Sequence, residues 1–158
     1  MSPEKDCDKG GSGRKFKSIL AAVDGSECSV HALKTAVRMA NREGAELTIL
    51  HVMVVSFALY SGDVSQPLGK VEESEKLLGE QLVASATAEA REAGIEPRVA
   101  MIEATDSAVR GITDYAVRNG IDLIVLGTRG LSGLKRLLLG SVAAGVVRYA
   151  PCAVMVVR

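Results

Sequence analysis

Residues 121–142 read IDLIVLGTRGLSGLKRLLLGSV. The apolar run Ile121 to Leu126 has the length and composition of a buried strand. It passes into glycine-rich chain with Gly127, Gly130, Gly140 and Ser141 spaced G-x2-G-x9-G-S, and a short helical pattern follows. Glycine-rich backbone between a strand end and a helix start is how proteins wrap phosphate. Missing Cβ atoms admit close approach, and free N–H groups point at the anion. Arg129, Lys135 and Arg136 accompany the glycines, and the loop carries no acid. The stretch therefore points to a nucleotide phosphate site. Simpler readings stand beside it: turn glycines, Ser141 as a helix cap, and the basic residues as a solvated face.

The same strand–helix grammar extends in both directions. Three helix-to-strand joints carry a glycine stop before a small or apolar residue: Glu43-Gly44-Ala45, Ala93-Gly94-Ile95 and Asn119-Gly120-Ile121. Glycine takes the left-handed conformation that ends a helix and turns the chain. The first strand spans 17–24 (KSILAAVD), followed by a helix capped at Ser26 with Val30, Leu33, Val37 and Ala40 near one face. The second strand spans 45–52 (AELTILHV), then a loop covers 53–70. A helix over 71–93, with Leu78, Leu82 and Ser85 in register, leads to a strand over 96–102. Asp106 or Ser107 caps a third helix that ends at Gly120 before the 121–126 strand. A short helix over 141–149, stopped by Pro151, leads into a last strand, Cys152 to Arg158. Such alternation predicts an α/β fold: one open five-stranded parallel sheet with helices on both faces. Residues 1–15 lack an apolar pattern and are expected to form a disordered tail, leaving 16–158 as one domain.

Composition narrows the function. Nineteen basic residues balance nineteen acidic ones, so net charge favours neither nucleic acid nor an anionic membrane. Two Phe, three Tyr and no Trp argue against an aromatic stacking platform for single-stranded nucleic acid. No apolar run approaches transmembrane length. Cys7, Cys28 and Cys152 form no C-x-x-C, which argues against zinc or dithiol chemistry, and their odd number with no signal-peptide pattern leads us to expect a reducing cytoplasm. Neither His31 nor His51 has a partner at metal-ligand spacing, and His51 is read as structural. The chain has no Walker loop, no dinucleotide fingerprint after its first strand, and no G-x-S-x-G.

In open α/β sheets, ligands sit beyond the carboxyl ends of strands where the strand order reverses. Two strands end in unusual turns, Val23-Asp24-Gly25-Ser26 and Gly127-Thr128-Arg129-Gly130. If these strands are neighbours, both turns face one crevice. Asp24 would accept from an adenine amino group or a ribose hydroxyl, or it simply opens a turn. Ser141 and the amides of Ser141 and Val142 would close on phosphates at a helix N-terminus. No base, water-positioning carboxylate or nucleophile stands out, so no catalytic residue is assigned. Weak nucleotide hydrolysis or autophosphorylation is the most the set would support.

Over 16–158 the chain resembles the universal stress protein family. The resemblance rests on ILAAVDGSECSVHAL, on LHV at the second-strand end, on GTRG-x9-GSVAAGVV and on APCAVMVVR. The loop matches the G-x2-G-x9-G-[ST] signature of the ATP-binding branch. The resemblance implies a Rossmann-like fold of the adenine nucleotide alpha-hydrolase type, with strand order 3-2-1-4-5. It implies that Val23 and Asp24 meet the adenine and that Val52 lines its pocket. Leu126 and Gly127 would lie under the nucleotide, with Arg129, Gly130, Gly140, Ser141 and Val142 around the phosphates. ATP or another adenine nucleotide would bring Mg2+ or Mn2+ held mainly by the phosphates. The family also implies homodimers and a stress-response role as a nucleotide-dependent sensor or switch. The apolar run Ala153 to Val157, expected at a sheet edge, suits two-fold pairing. A nucleotide-free dimeric adaptor is the alternative. Two positions depart from the pattern: Ala22, often proline in the family, and Ala143, a hydroxyl residue in some ATP-bound members.

Overall fold

The computed structural model describes residues 16–54, 68–104, 107–130 and 139–158. The strands are β1 (Ser18–Ala22), β2 (Glu46–Val54), β3 (Arg98–Ala104), β4 (Leu123–Gly127) and β5 (Ala153–Val157). The helices are α1 (Glu27–Glu43), α2 (Leu68–Glu92), α3 (Ala108–Arg118) and α4 (Ser141–Tyr149). One parallel sheet runs in the order β3-β2-β1-β4-β5. The order reverses between β1 and β4, so the turns after those two strands are neighbours.

Both faces of the sheet are covered, which is why the central strands carry unbroken apolar runs, Ile19 to Ala22 in β1 and Leu123 to Leu126 in β4, rather than alternating ones. The pleat sends Ile19 and Ala21 to one face, packed with Leu33, Ala36 and Val37 of α1 and Ala86 and Ala90 of α2. Leu20 goes to the other face, with Leu50, Ile124, Ile112 of α3 and Val146 of α4. The helix stops work as the glycines require: Gly44, Gly94 and Gly120 have φ of 64, 82 and 61°. Ser26 Oγ caps α1 by accepting from Ser29 N, and Ser107 Oγ caps α3 by accepting from Arg110 N. Asp106, the other candidate cap, lies outside the described residues.

Several boundaries differ from expectation. β2 continues through Met53 and Val54, which the sequence pattern assigns to a loop, because they remain paired with Glu103 and Ala104 of β3. α2 begins at Leu68 rather than 71, and β3 runs 98–104 rather than 96–102. β4 runs Leu123–Gly127 rather than 121–126, and just before it the Asp122 carboxylate accepts from the Lys17 and Ser18 amides at 2.9 and 3.3 Å. Leu78 and Ser85 are exposed rather than in register. The inner stripe of α2 is Gly79, Val83, Ala86, Thr87 and Ala90. Glycine at 79 decides this, because a Cβ there would stand 2.9 Å from Met101 Cε. On α1 the stripe begins at buried Ser29, and Val30 is exposed. No described helix is long and apolar enough to cross a membrane.

Candidate functional site

The reversal between β1 and β4 opens a cleft at their carboxyl ends. Val23 and Asp24 enter it from the turn after β1, and Val52 from β2. Leu126, Gly127, Arg129 and Gly130 come from β4 and its loop, and Gly140, Ser141 and Val142 from the start of α4. The fold thus brings all the nucleotide-site residues expected from the family resemblance to one cavity. Lys135 and Arg136 lie outside the described residues.

Asp24 is held rather than loose. Its Oδ1 accepts from Ser26 N at 3.0 Å and from Ser26 Oγ at 2.6 Å. Ser26 Oγ also lies 3.2 Å from the Arg129 carbonyl, so the helix cap ties the β1 turn to the β4 loop. Asp24 N donates to Ser29 Oγ, which donates to the Ser26 carbonyl. Ser29 is buried for this reason.

The loop glycines have different reasons to be glycine. A Cβ on Gly127 would stand 2.7 Å from the Cys28 carbonyl carbon and 2.9 Å from Ser29 N. Gly127 therefore lets the first turn of α1 pack on the end of β4. A Cβ on Gly130 would stand 2.6 Å from Asp24 Oδ2, inside the cleft. Gly140 donates its N–H to Thr128 O at 2.7 Å, bending the returning chain back onto the strand end. It is the N-cap of α4 and supplies no side-chain cap, so the first-turn amides after it lack the partner that Ser26 gives α1. Helix α4 thus presents its first-turn amides and the positive end of its dipole at the cleft.

Arg129 adds a second signal. Its Nε is buried and has no hydrogen-bond acceptor among the described residues. Burying a guanidinium N–H without an acceptor is costly. Arg129 also lines the cleft, so an anion that draws its side chain inward would supply one. The other end of the cavity is apolar: Leu50 and Val52 of β2 face Ala108 and Ile112 of α3. A flat heterocycle at that end and an anion at the loop end match this division.

His51, read from sequence as structural, makes a specific bond: Nδ1 lies 2.8 Å from the Val23 carbonyl. Ala108, Ile112, Ser29 and Thr128 line the cleft and were not singled out from sequence. Thr128 sits inside the quoted GTRG. Ala108 and Ile112 share a face of α3, but alternation alone does not tell which helix overhangs a strand end. No group of three or more His, Cys, Asp or Glu that could hold a metal ion occurs among the described residues.

This geometry meets its counterparts in known proteins. The model of the universal stress protein family matches residues 15–158. Universal stress protein YxiE of Bacillus subtilis is 36% identical over 149 residues, covering 90% of this chain and 99% of that one. The solved universal stress protein UspA from Lactobacillus plantarum superposes with a TM-score of 0.65 at 30% identity, over 92% of this chain and 99% of that one. A universal stress protein solved in complex with cAMP shares the fold, with a TM-score of 0.69 at 24% identity over 92% and 99% of the two chains. With the doubly covered sheet, its strand order and the match along nearly the whole chain in agreement, the protein belongs to the universal stress protein family.

Proposed function

We propose that this chain binds an adenine nucleotide, ATP first among them, in the β1–β4 cleft, and acts in the stress response as a nucleotide-dependent switch. The observation that carries the reading is the buried Arg129 Nε without an acceptor, in a residue that shares the cleft with the start of α4, which has no side-chain cap. The first-turn amides of α4 and the Arg129 guanidinium would then serve one anion. Val23 and Asp24 then meet the base, with Val52 lining its pocket; Leu126 and Gly127 lie beneath the nucleotide. Arg129, Gly130, Gly140, Ser141 and Val142 surround the phosphates. The cAMP complex of a protein with this fold supports the adenine class.

A divalent ion fits only as cargo of the nucleotide. The described residues include no cluster to cage it, and Mg2+ commonly relies on phosphate oxygens and water for most of its shell. The phosphates would hold Mg2+ or Mn2+, and no residue is assigned as a ligand.

The same reading makes the protein a cytoplasmic homodimer. Strand β5 is at the sheet edge, and two copies would pair antiparallel through Ala153–Val157. Sedimentation equilibrium tests this: the expected mass is twice that of the chain, and a monomer at every concentration would refute it.

Calorimetric titration with ATP, AMP and cAMP, with and without Mg2+, tests the nucleotide. Saturable binding is expected, strongest with the triphosphate. A flat titration at millimolar nucleotide would sink the proposal.

A further inference from the structure

Strand β1 ends at Ala22, yet the next residue, Val23, is still held to β2 through both its N–H and its carbonyl. Val23 N donates to the Leu50 carbonyl at 2.9 Å. The Val23 carbonyl, beyond the end of the strand, is met by the His51 ring at 2.8 Å. A carbonyl only accepts, so His51 Nδ1 carries the proton. A side chain of β2 thereby fixes the peptide that leads into Asp24, whose carboxylate lies in the cleft.

The same ring also meets α2. A Cβ built on Gly79 would stand 3.0 Å from His51 Cδ2 and 3.2 Å from Nε2. One turn further, Leu82 stands beneath the turn itself, 3.7 Å from where a Cβ on Gly25 would lie. No described side chain of α2 lines the cleft, but the helix backs the Val23–Gly25 turn directly through Leu82 and indirectly through His51.

We infer that His51 is a positioning residue of the nucleotide site, transmitting the seating of α2 at Gly79 to Val23 and Asp24 through its Nδ1–H. The inference rests on the nucleotide reading above and concerns the base end of the site. The phosphate end is built from the β4 loop and α4 and does not depend on it.

The test compares substitutions that keep or remove the Nδ1 donor. His51→Asn places an amide nitrogen where Nδ1 stood. His51→Gln places one where Nε2 stood, and His51→Leu has neither. ATP affinity should fall about tenfold in His51→Leu and His51→Gln, and stay within about threefold of the unaltered protein in His51→Asn. Inorganic tripolyphosphate, which has no base, should bind all four proteins alike. Gly79→Ala should also weaken ATP, although alanine is the better helix former. In the unaltered protein, long-range 15N–1H spectra should show the His51 proton on Nδ1. Equal ATP affinity in all His51 variants overturns the inference alone. So does an equal loss for tripolyphosphate, a proton on Nε2, or a His51→Asn protein as weak as His51→Leu. Failure of the unaltered protein to bind ATP overturns the nucleotide reading, and this inference with it.

Discussion

The Asp24 carboxylate and Gly130 meet across the switch point: Oδ2 of Asp24 lies 2.6 Å from where a Cβ on Gly130 would stand. Asp24 cannot swing aside freely, because Oδ1 is bonded to both the backbone and the hydroxyl of Ser26. The contact joins the turn after β1 to the loop after β4, and it makes residue 130 a gauge of the distance between the two ends of the cleft.

Gly130→Ala should therefore damage binding more than folding. The added methyl forces Asp24 or the loop to move inside the cleft, where both face the proposed ligand. ATP affinity is expected to fall at least about tenfold, equivalent to roughly 1.4 kcal/mol. Unfolding free energy should change by less than about 1 kcal/mol, since the displaced groups are half-exposed. Calorimetry and urea unfolding of the same preparation check both halves.

Gly127→Ala should do the reverse. Its Cβ would press on the Cys28 and Ser29 backbone at 2.7 and 2.9 Å, and backbone in the first turn of a packed helix cannot step aside. A loss of about 1–3 kcal/mol of stability is expected. Denaturant midpoints would reveal it. An unchanged midpoint would mean that α1 and β4 are not in close contact at this point.

These two glycines mark how far sequence could be read. The G-x2-G spacing and the strand–helix alternation pointed to the fold and the cleft, because helix stops, strand ends and basic charge are local features. The purposes of Gly127 and Gly130 were not legible, since Cys28 and Asp24 lie about a hundred residues away in the chain. The same holds for Ala108 and Ile112, which reach the cleft only because α3 packs over β2 and β3 on that face. Leu78 misled for a different reason. Helical periodicity identifies a stripe but not its phase when glycine, not leucine, occupies the point of closest approach at 79. The nucleotide and the dimer rested on family resemblance more than on local physics.

Cys152 should be slow to alkylate. Partial burial raises its thiol pKa, and the nearby Asp122 carboxylate raises it further, against a smaller opposing effect of the Ile124 backbone. Less thiolate is then present at any given pH, and the thiolate is the reactive form. In a Cys7→Ser, Cys28→Ser background, the midpoint of the iodoacetamide rate against pH should lie above that of the urea-unfolded chain. The sign has a consequence for stability. A thiol with a folded pKa above its unfolded value contributes stability below the unfolded pKa, and loses that contribution as pH rises through the folded one. A native midpoint at or below the unfolded one would contradict this environment.

Ala143 offers a test in which affinity and stability move in opposite directions. Its side chain is buried with Leu126 and Val146, yet it also borders the cleft beside Val142. Ala143→Ser would place a hydroxyl there. Without ligand, that hydroxyl is taken from water into a largely apolar setting, and folding should weaken by about 1 kcal/mol. With a nucleotide bound, the hydroxyl can donate to a phosphate oxygen, a gain of about 1 kcal/mol or roughly fivefold in affinity. The melting curve of the free protein should therefore shift down, while the upward shift on adding ATP grows. Adenosine, which has no phosphate, should gain nothing from the substitution. An equal gain for adenosine would place the hydroxyl at the base rather than the phosphates. It would then reverse the orientation proposed for the nucleotide.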